Sequence, residues 1–220
     1  LQVNDLKKHY PIRGGFFSGV TANVYAVDGV SFHIDKGETL SLVGESGCGK
    51  STVGKAILRL FPITAGQVVL GGQRIDQLSA GKLRPLRQRV QVVFQDPYSS
   101  LNPRMRVRDI LAEPMTNFGL ATGKDEITER AMRLMDKVGL PRDAVHRWPH
   151  EFSGGQRQRI GIARALAAEP EIIICDEAVS ALDVSVKAQI VNLLGDLQKE
   201  LGLALLFISH DLAVVEHMTH

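Results

Sequence analysis

Apolar residues along this chain fall into short continuous runs that alternate with longer stretches of helical period. Thr39 to Val43 is a short apolar run, followed by a Gly-rich loop and then a helical pattern from Lys50 to Leu60. Gln67 to Leu70 and Val90 to Phe94 read as strands, with β-branched residues inside and turn formers beside them. From Asp125 to Val138 the apolar positions are Ile127, Ala131, Leu134, Met135 and Val138, which is helical spacing, and Gly139 is placed to end that helix. Gly155 to Ala168 reads as another helix, closed by Glu169-Pro170. Ile172 to Cys175 is apolar at every position, as in strands buried on both faces of a parallel sheet. A long helix over Val186 to Leu201 and a last buried strand over Leu203 to Ile208 complete the series. The alternation predicts an α/β fold with a mainly parallel sheet covered on both faces. The middle segment, about 97–162, reads as a helical insertion. Ala213 to His220 is helix-like and stops without a cap or turn, so the chain is expected to be an excised or truncated domain.

Composition adds limits. At 220 residues the chain can bury one full core with a subdivision. A formal net charge of +2, with no Lys/Arg run, argues against a nucleic-acid partner. Leu201 to Ser209, the best apolar stretch, is about half the roughly 18 residues that a membrane span needs. The N-terminus has no signal-peptide pattern. Cys48 and Cys175 lie far apart with no metal-ligand spacing, which fits a reducing, cytoplasmic setting. A membrane role would have to come through a partner.

The chemistry sits at the strand ends. Gly44-Glu45-Ser46-Gly47-Cys48-Gly49-Lys50-Ser51 matches GxxxxGK[ST] between a predicted strand and a predicted helix, the context that a phosphate-binding loop requires. Its glycines let successive N–H groups point at phosphate oxygens, and the following helix adds the positive end of its dipole. Lys50 would reach the β- and γ-phosphates and the Ser51 hydroxyl would ligate Mg²⁺, with Thr52 beside it at the end of the loop. Such a loop holds ATP but does not hydrolyse it alone. Ile172-Ile173-Ile174-Cys175-Asp176-Glu177 supplies two acids at a strand tip, where neighbouring side chains point in different directions. Asp176 would hold Mg²⁺, and Glu177 would act as general base towards the attacking water.

Phe152-Ser153-Gly154-Gly155-Gln156 resembles the LSGGQ signature of ABC ATPases, and in order with both nucleotide motifs it makes the resemblance span essentially the whole chain. The resemblance implies a P-loop NTPase core over about 1–96 and 163–220, with an N-terminal antiparallel β subdomain and an inserted helical subdomain over about 97–162. It implies that Gln95 contacts Mg²⁺ or the attacking water, that Ser180 to Asp183 bridges two nucleotide sites, and that His210 binds the γ-phosphate. Ser153, Gly154, Gly155 and Gln156 would offer a hydroxyl and N–H groups to the nucleotide of a second ATPase domain, so that two copies or two related domains sandwich ATP between them. The adenine would stack on an aromatic near the N-terminus, with Tyr10 the first candidate and Tyr25 the second; the stretch Ile12 to Asn23 looks like an insertion.

Local sequence narrows the resemblance. Gly44 to Thr52, Phe94 to Arg104, Pro149 to Gln156 and Phe207 to Val215 are similar to ATPase subunits of bacterial oligopeptide, dipeptide and glutathione importers, and Ala178 stands where many relatives have Pro. The implied partners are integral membrane permease subunits and, indirectly, a periplasmic or surface substrate-binding protein. The implied place is peripheral, on the cytoplasmic face of the inner membrane. An ABC ATPase acting on DNA or ribosomes is the alternative; the coiled-coil or zinc insertions of repair members do not separate Gln95 from Ser153. Within Asp96 to Arg108, Leu101 and Met105 with nearby arginines are expected to form part of the groove for a permease helix.

Overall fold

The computed structural model describes residues 1–13 and 20–218. In chain order, β1 (Gln2–Arg13), β2 (Val20–His33) and β3 (Thr39–Val43) precede α1 (Lys50–Ile57). β4 (Ala65–Leu70), β5 (Gln73–Arg74), α2 (Ala80–Leu83) and β6 (Val90–Val93) follow. Next come α3 (Val107–Asn117), α4 (Lys124–Lys137) and α5 (Gly154–Leu166), then β7 (Ile172–Asp176), α6 (Val184–Leu201), β8 (Ala204–Ser209) and α7 (Leu212–Met218).

The expected parallel sheet is present, in the order β3-β8-β7-β6 with every pair parallel. Up to Asp176 and Ser209 at their carboxyl ends, its central strands are apolar because both faces are covered. On β7, Ile173 and Cys175 join a core built with α3 to α6, while Ile172 and Ile174 join a second core with α1 and the N-terminal strands. β8 divides in the same way, Leu205 and Phe207 to one side and Leu206 and Ile208 to the other. Side chains on a strand alternate between faces, so one unbroken run serves both cores.

A second sheet, antiparallel and ordered β2-β1-β4-β5, lies on the α1 side. β1 and β2 pair from Gln2 with His33 out to Arg13 with Val20. The stretch expected as an insertion, Ile12 to Asn23, therefore begins and ends as strand, and its middle, 14–19, lies outside the described residues. The β1–β2 register shifts repeatedly, and Asp5 takes a positive φ of 46° beside one such shift. These are the bulges by which a long hairpin bends over a helix.

Between β6 and β7 the chain is mainly helical, as its composition predicts. Sequence reading named no separate helix over Val107–Asn117, which carries Pro114 inside it. Val107, Ile110, Leu111 and Met115 are all buried there, an i, i+3, i+4, i+8 stripe that packs towards α4 and α5. Proline removes one helical N–H and crowds the preceding turn, which is why local propensity argues against a helix that tertiary packing sustains.

Candidate nucleotide site

The four parallel strands end at one edge of the sheet, and each hands the chain to a residue of interest. Val43 pairs with Ser209, Ile208 with Asp176, and Cys175 with Val93, so the loops after β3, β8, β7 and β6 emerge side by side. The carboxyl edge of a parallel sheet is where open α/β folds bind ligands.

The loop after β3 wraps into the start of α1. Gly49, the residue that caps α1, has φ 101°, and a Cβ there would stand 2.0 Å from the Ala26 carbonyl oxygen. Glycine is required both by that backbone conformation and by the close approach of β2. Lys50 is buried, and its ammonium donates to the Gly44 carbonyl at 2.6 Å and the Glu45 carbonyl at 2.7 Å. Both partners are neutral, so they fix the side chain without cancelling its charge. With the free N–H groups of the first turn of α1, the loop is built to receive an anion. Glu45, Ser46, Gly47 and Cys48 are exposed along it, and Thr52 is half-buried in α1.

The Ser51 hydroxyl donates to Asp176 Oδ1 at 2.6 Å and joins the loop to the tip of β7. No group of three or more His, Cys, Asp and Glu side chains is placed to hold a metal among the described residues. One hydroxyl and one carboxylate fit Mg²⁺ instead, because that ion keeps waters and takes much of its coordination from substrate phosphates. Glu177 follows with a positive φ of 49° and donates its N–H to the Ile208 carbonyl at 2.9 Å. The two carboxylates take different partners, Asp176 the Ser51 hydroxyl and Glu177 the ring of His210. Glu177 Oε1 lies 3.5 Å from His210 Nδ1, on the loop after β8. The Ser180 N–H and hydroxyl both donate to the Glu177 carbonyl at 3.0 Å, which closes the turn towards Asp183, the exposed cap residue of α6.

Lys50, Ser51, Asp176, Glu177 and His210 thus converge. Gln95 is exposed one residue beyond Phe94, whose carbonyl accepts from the buried Gln158 amide at 3.2 Å. Ser153 and Gln156 form a reciprocal cap at the start of α5: the Gln156 N–H donates to Ser153 Oγ at 3.3 Å, and the Ser153 N–H to Gln156 Oε1 at 3.0 Å. Gly154 and Gly155 let this helix end lie against other elements, since a Cβ on Gly155 would meet Val186 Cγ1 at 2.5 Å. Among the described residues no hydrogen bond or ion pair joins Ser153–Gln156 to the loop at 44–52.

Two expectations meet a different geometry. Tyr25, not Tyr10, lines the groove beside Cys48, Gly49 and Lys50, together with Ala26 and Val27. Tyr10 is exposed and sets its ring edge-on to Phe61, with the Lys8 ammonium 4.8 Å from its centroid, while Tyr25 is edge-on to His9 at 4.5 Å. The apolar anchors expected in the groove for a permease helix are corrected more sharply. Leu101 is 2% exposed and belongs to the helical core, and Met105 packs against the same core. Leu101 is drawn into a cluster that residues far along the chain, from α5, β7 and α6, complete. Sequence reading also passed over Gln158, since a polar residue in a helix gives no local sign that it will be buried.

Comparison with known proteins agrees with this geometry. A family profile described as ABC transporter matches residues 27–180. The glutathione import ATP-binding protein GsiA of Salmonella typhimurium is 58% identical over all 220 residues, and that of Escherichia coli K12 is 56% identical over the same span. Each alignment takes in 100% of this chain and 35% of the relative, so the chain spans about a third of the length of the curated relatives it matches. Among solved structures, the dimeric ATP-binding cassette MJ0796 bound to ADP and Pi superposes with a TM-score of 0.83 at 28% identity, covering 98% of this chain and 90% of that one. CbiO1 from Clostridium perfringens, part of an ABC transporter complex, gives 0.81 at 27% identity, covering 99% and 81%.

The two cysteines provide a check on the loop. Cys48 is exposed, whereas Cys175 is fully buried, and burial with the neighbouring Asp176 carboxylate pushes its thiol up to about 12. A bulky maleimide should therefore label Cys48 alone in the folded protein, lose rate when ATP is present, and block ATP binding once attached. Mass spectrometry of labelled peptides reads the site; normal ATP binding by fully labelled protein would mean that the loop does not hold the nucleotide.

Proposed function

Because this chain belongs to the ABC transporter family, whose ATP-binding cassettes are ATPases, we propose that it binds and hydrolyses ATP to energise import of glutathione or peptides through membrane permease subunits. The observation that carries the proposal is the convergence of Lys50, Ser51, Asp176, Glu177 and His210 at the carboxyl edge of one parallel sheet. The names of the relatives, which describe glutathione import, support the substrate class.

In this reading the loop from Gly44 to Thr52 holds the triphosphate, with Lys50 leaving its two carbonyls for the β- and γ-phosphates. Mg²⁺ would be held by Ser51 and Asp176, and through Gln95, and when bound it neutralises charge on the phosphates. Glu177 accepts a proton from the attacking water. His210 holds Glu177 in place through the 3.5 Å contact and lies ready for the γ-phosphate. Ser153, Gly154, Gly155 and Gln156 serve the nucleotide of a second cassette, and Asp183 lies in the turn between the two sites. The capped start of α5 keeps free N–H groups for an anion, and MJ0796, described as dimeric, is a structural neighbour.

No helix among the described residues is long and apolar enough to cross a membrane, so the proposed place is peripheral, on the cytoplasmic face of the inner membrane. The cleft between α3, α4 and the end of α5 fits the permease contact better than the buried Leu101. Met115, Leu134 and Leu166 form its floor, and Arg130, Arg133 and Lys137 its rim. Apolar anchors with a polar rim are what an amphipathic helix needs from a groove. A substrate-binding protein would act only through that permease.

Glu177→Gln keeps shape and leaves Asp176 in place. The full protein carrying it should bind ATP normally, hydrolyse it about 10²-fold more slowly or worse, and bring its permease with it when purified from membranes. Turnover at the wild-type rate would remove Glu177 from the proposed role, and purification without any membrane protein would count against import.

The base contact is open to a direct comparison. Tyr10→Ala and Tyr25→Ala each remove one exposed ring of the β1–β2 hairpin, and loss of a stacking ring is worth about 1–3 kcal/mol. The ring that stacks on adenine is the one whose loss weakens ATP binding at least about ten-fold; unchanged affinity in both variants would move the base elsewhere.

A further inference from the structure

Among the described residues the Gln95 side chain has no hydrogen-bond partner, yet the backbone on both sides of it is fastened to one helix. The Gln158 side-chain amide, 1% exposed, donates to the carbonyl of Phe94, immediately before Gln95. Arg164, two turns further along α5, donates from Nη1 to the carbonyl of Ser100, five positions after it. Between these points the Arg157 guanidinium lies 4.1 Å from the centre of the Tyr98 ring, and the Tyr98 hydroxyl lies against the start of α5 at Gly154.

These contacts are not what core packing alone selects. Arg164 is half-buried, burial lowers its pKa with the charge of Glu113 acting the other way, and withdrawing a guanidinium from water is costly unless it is well paired. Its hydrogen bond goes to a loop carbonyl. Leucine or methionine on that face of α5 would pack at lower cost, so the bond to the loop is the feature that distinguishes arginine here.

We infer that Gln158 and Arg164 are positioning residues for Gln95, fixing the 94–100 segment to α5 so that the helix start at Ser153–Gln156 and Gln95 move as one body. The inference rests on the reading of Gln95 as a contact of the attacking water or its metal. Seating of Ser153–Gln156 on the nucleotide of a second cassette then also sets Gln95 in its own site. Neither residue touches nucleotide; both act through the loop.

A double-mutant cycle tests this in the full protein. Gln158→Met conserves volume and removes the donor. It should lower kcat for ATP about ten-fold, the size of one lost positioning hydrogen bond, and leave KM for ATP unchanged. In a Gln95→Ala background the same substitution should cost nothing further, because there is no glutamine left to position. Arg164→Met should behave alike, and Arg164→Lys, which keeps a donor, should recover most of the rate. Losses that multiply with Gln95→Ala, a change in KM alone, or no change in kcat would each overturn the inference. Glu177→Gln run beside them separates the levels. If it still turns over at the wild-type rate, the hydrolysis reading has failed; if it is inactive while the cycle is multiplicative, only the positioning role has.

Discussion

The arrangement depends on the register of four parallel strands. With Val43 opposite Ser209, Ile208 opposite Asp176 and Cys175 opposite Val93, the sheet delivers four loops side by side to one edge. A slip of one residue in β7 would turn Ile173 and Cys175 out of their core and carry the Asp176 carboxylate to the opposite face. The two-sided core thus fixes the site: β7 and β8 cannot slide because alternate side chains are locked into different clusters. The hydrogen bond from Ser51 to Asp176, across 125 positions in the chain, is the visible result.

On this frame, charge is placed with little redundancy. Lys50 sits among neutral carbonyls, Asp176 accepts from a hydroxyl, and Glu177 has His210 at 3.5 Å. In the proposed reading the site is half of a binding surface, strong at the phosphate end. The start of α5 is proposed as a second anion site in the same chain, and no hydrogen bond or ion pair among the described residues joins it to the first. If both surfaces bind as proposed, a domain in which they do not meet has a physical reason to pair with another, with nucleotide charge between them.

Much of this was legible before the fold was known. β3, β7, β8, α1 and α4 to α6 announced themselves by period and by turn formers, and the phosphate loop and the two acids were readable because their chemistry depends on short fixed spacings. What could not be read depends on distant neighbours. Leu101 reads as a surface anchor, but it is buried in a cluster completed by residues of α5, β7 and α6, and Gln158 reads as one more polar helix residue. The choice between Tyr10 and Tyr25 turns on which face of a bulged hairpin meets the loop, and bulges leave little trace in composition. The stripe at Val107, Ile110, Leu111 and Met115 was visible in principle; Pro114 masked it.

The central claim is that the nucleotide is shared, with the loop of one cassette closed by the helix start of another. Native Cys48 lies in the loop, and Ser153→Cys puts a second thiol at the start of α5. Oxidative cross-linking of that variant with and without ATP measures the claim directly. The account predicts a disulfide that forms readily only with ATP and joins Cys48 of one cassette to position 153 of another. A bond formed within a single cassette, or none in protein that still hydrolyses ATP, would contradict it.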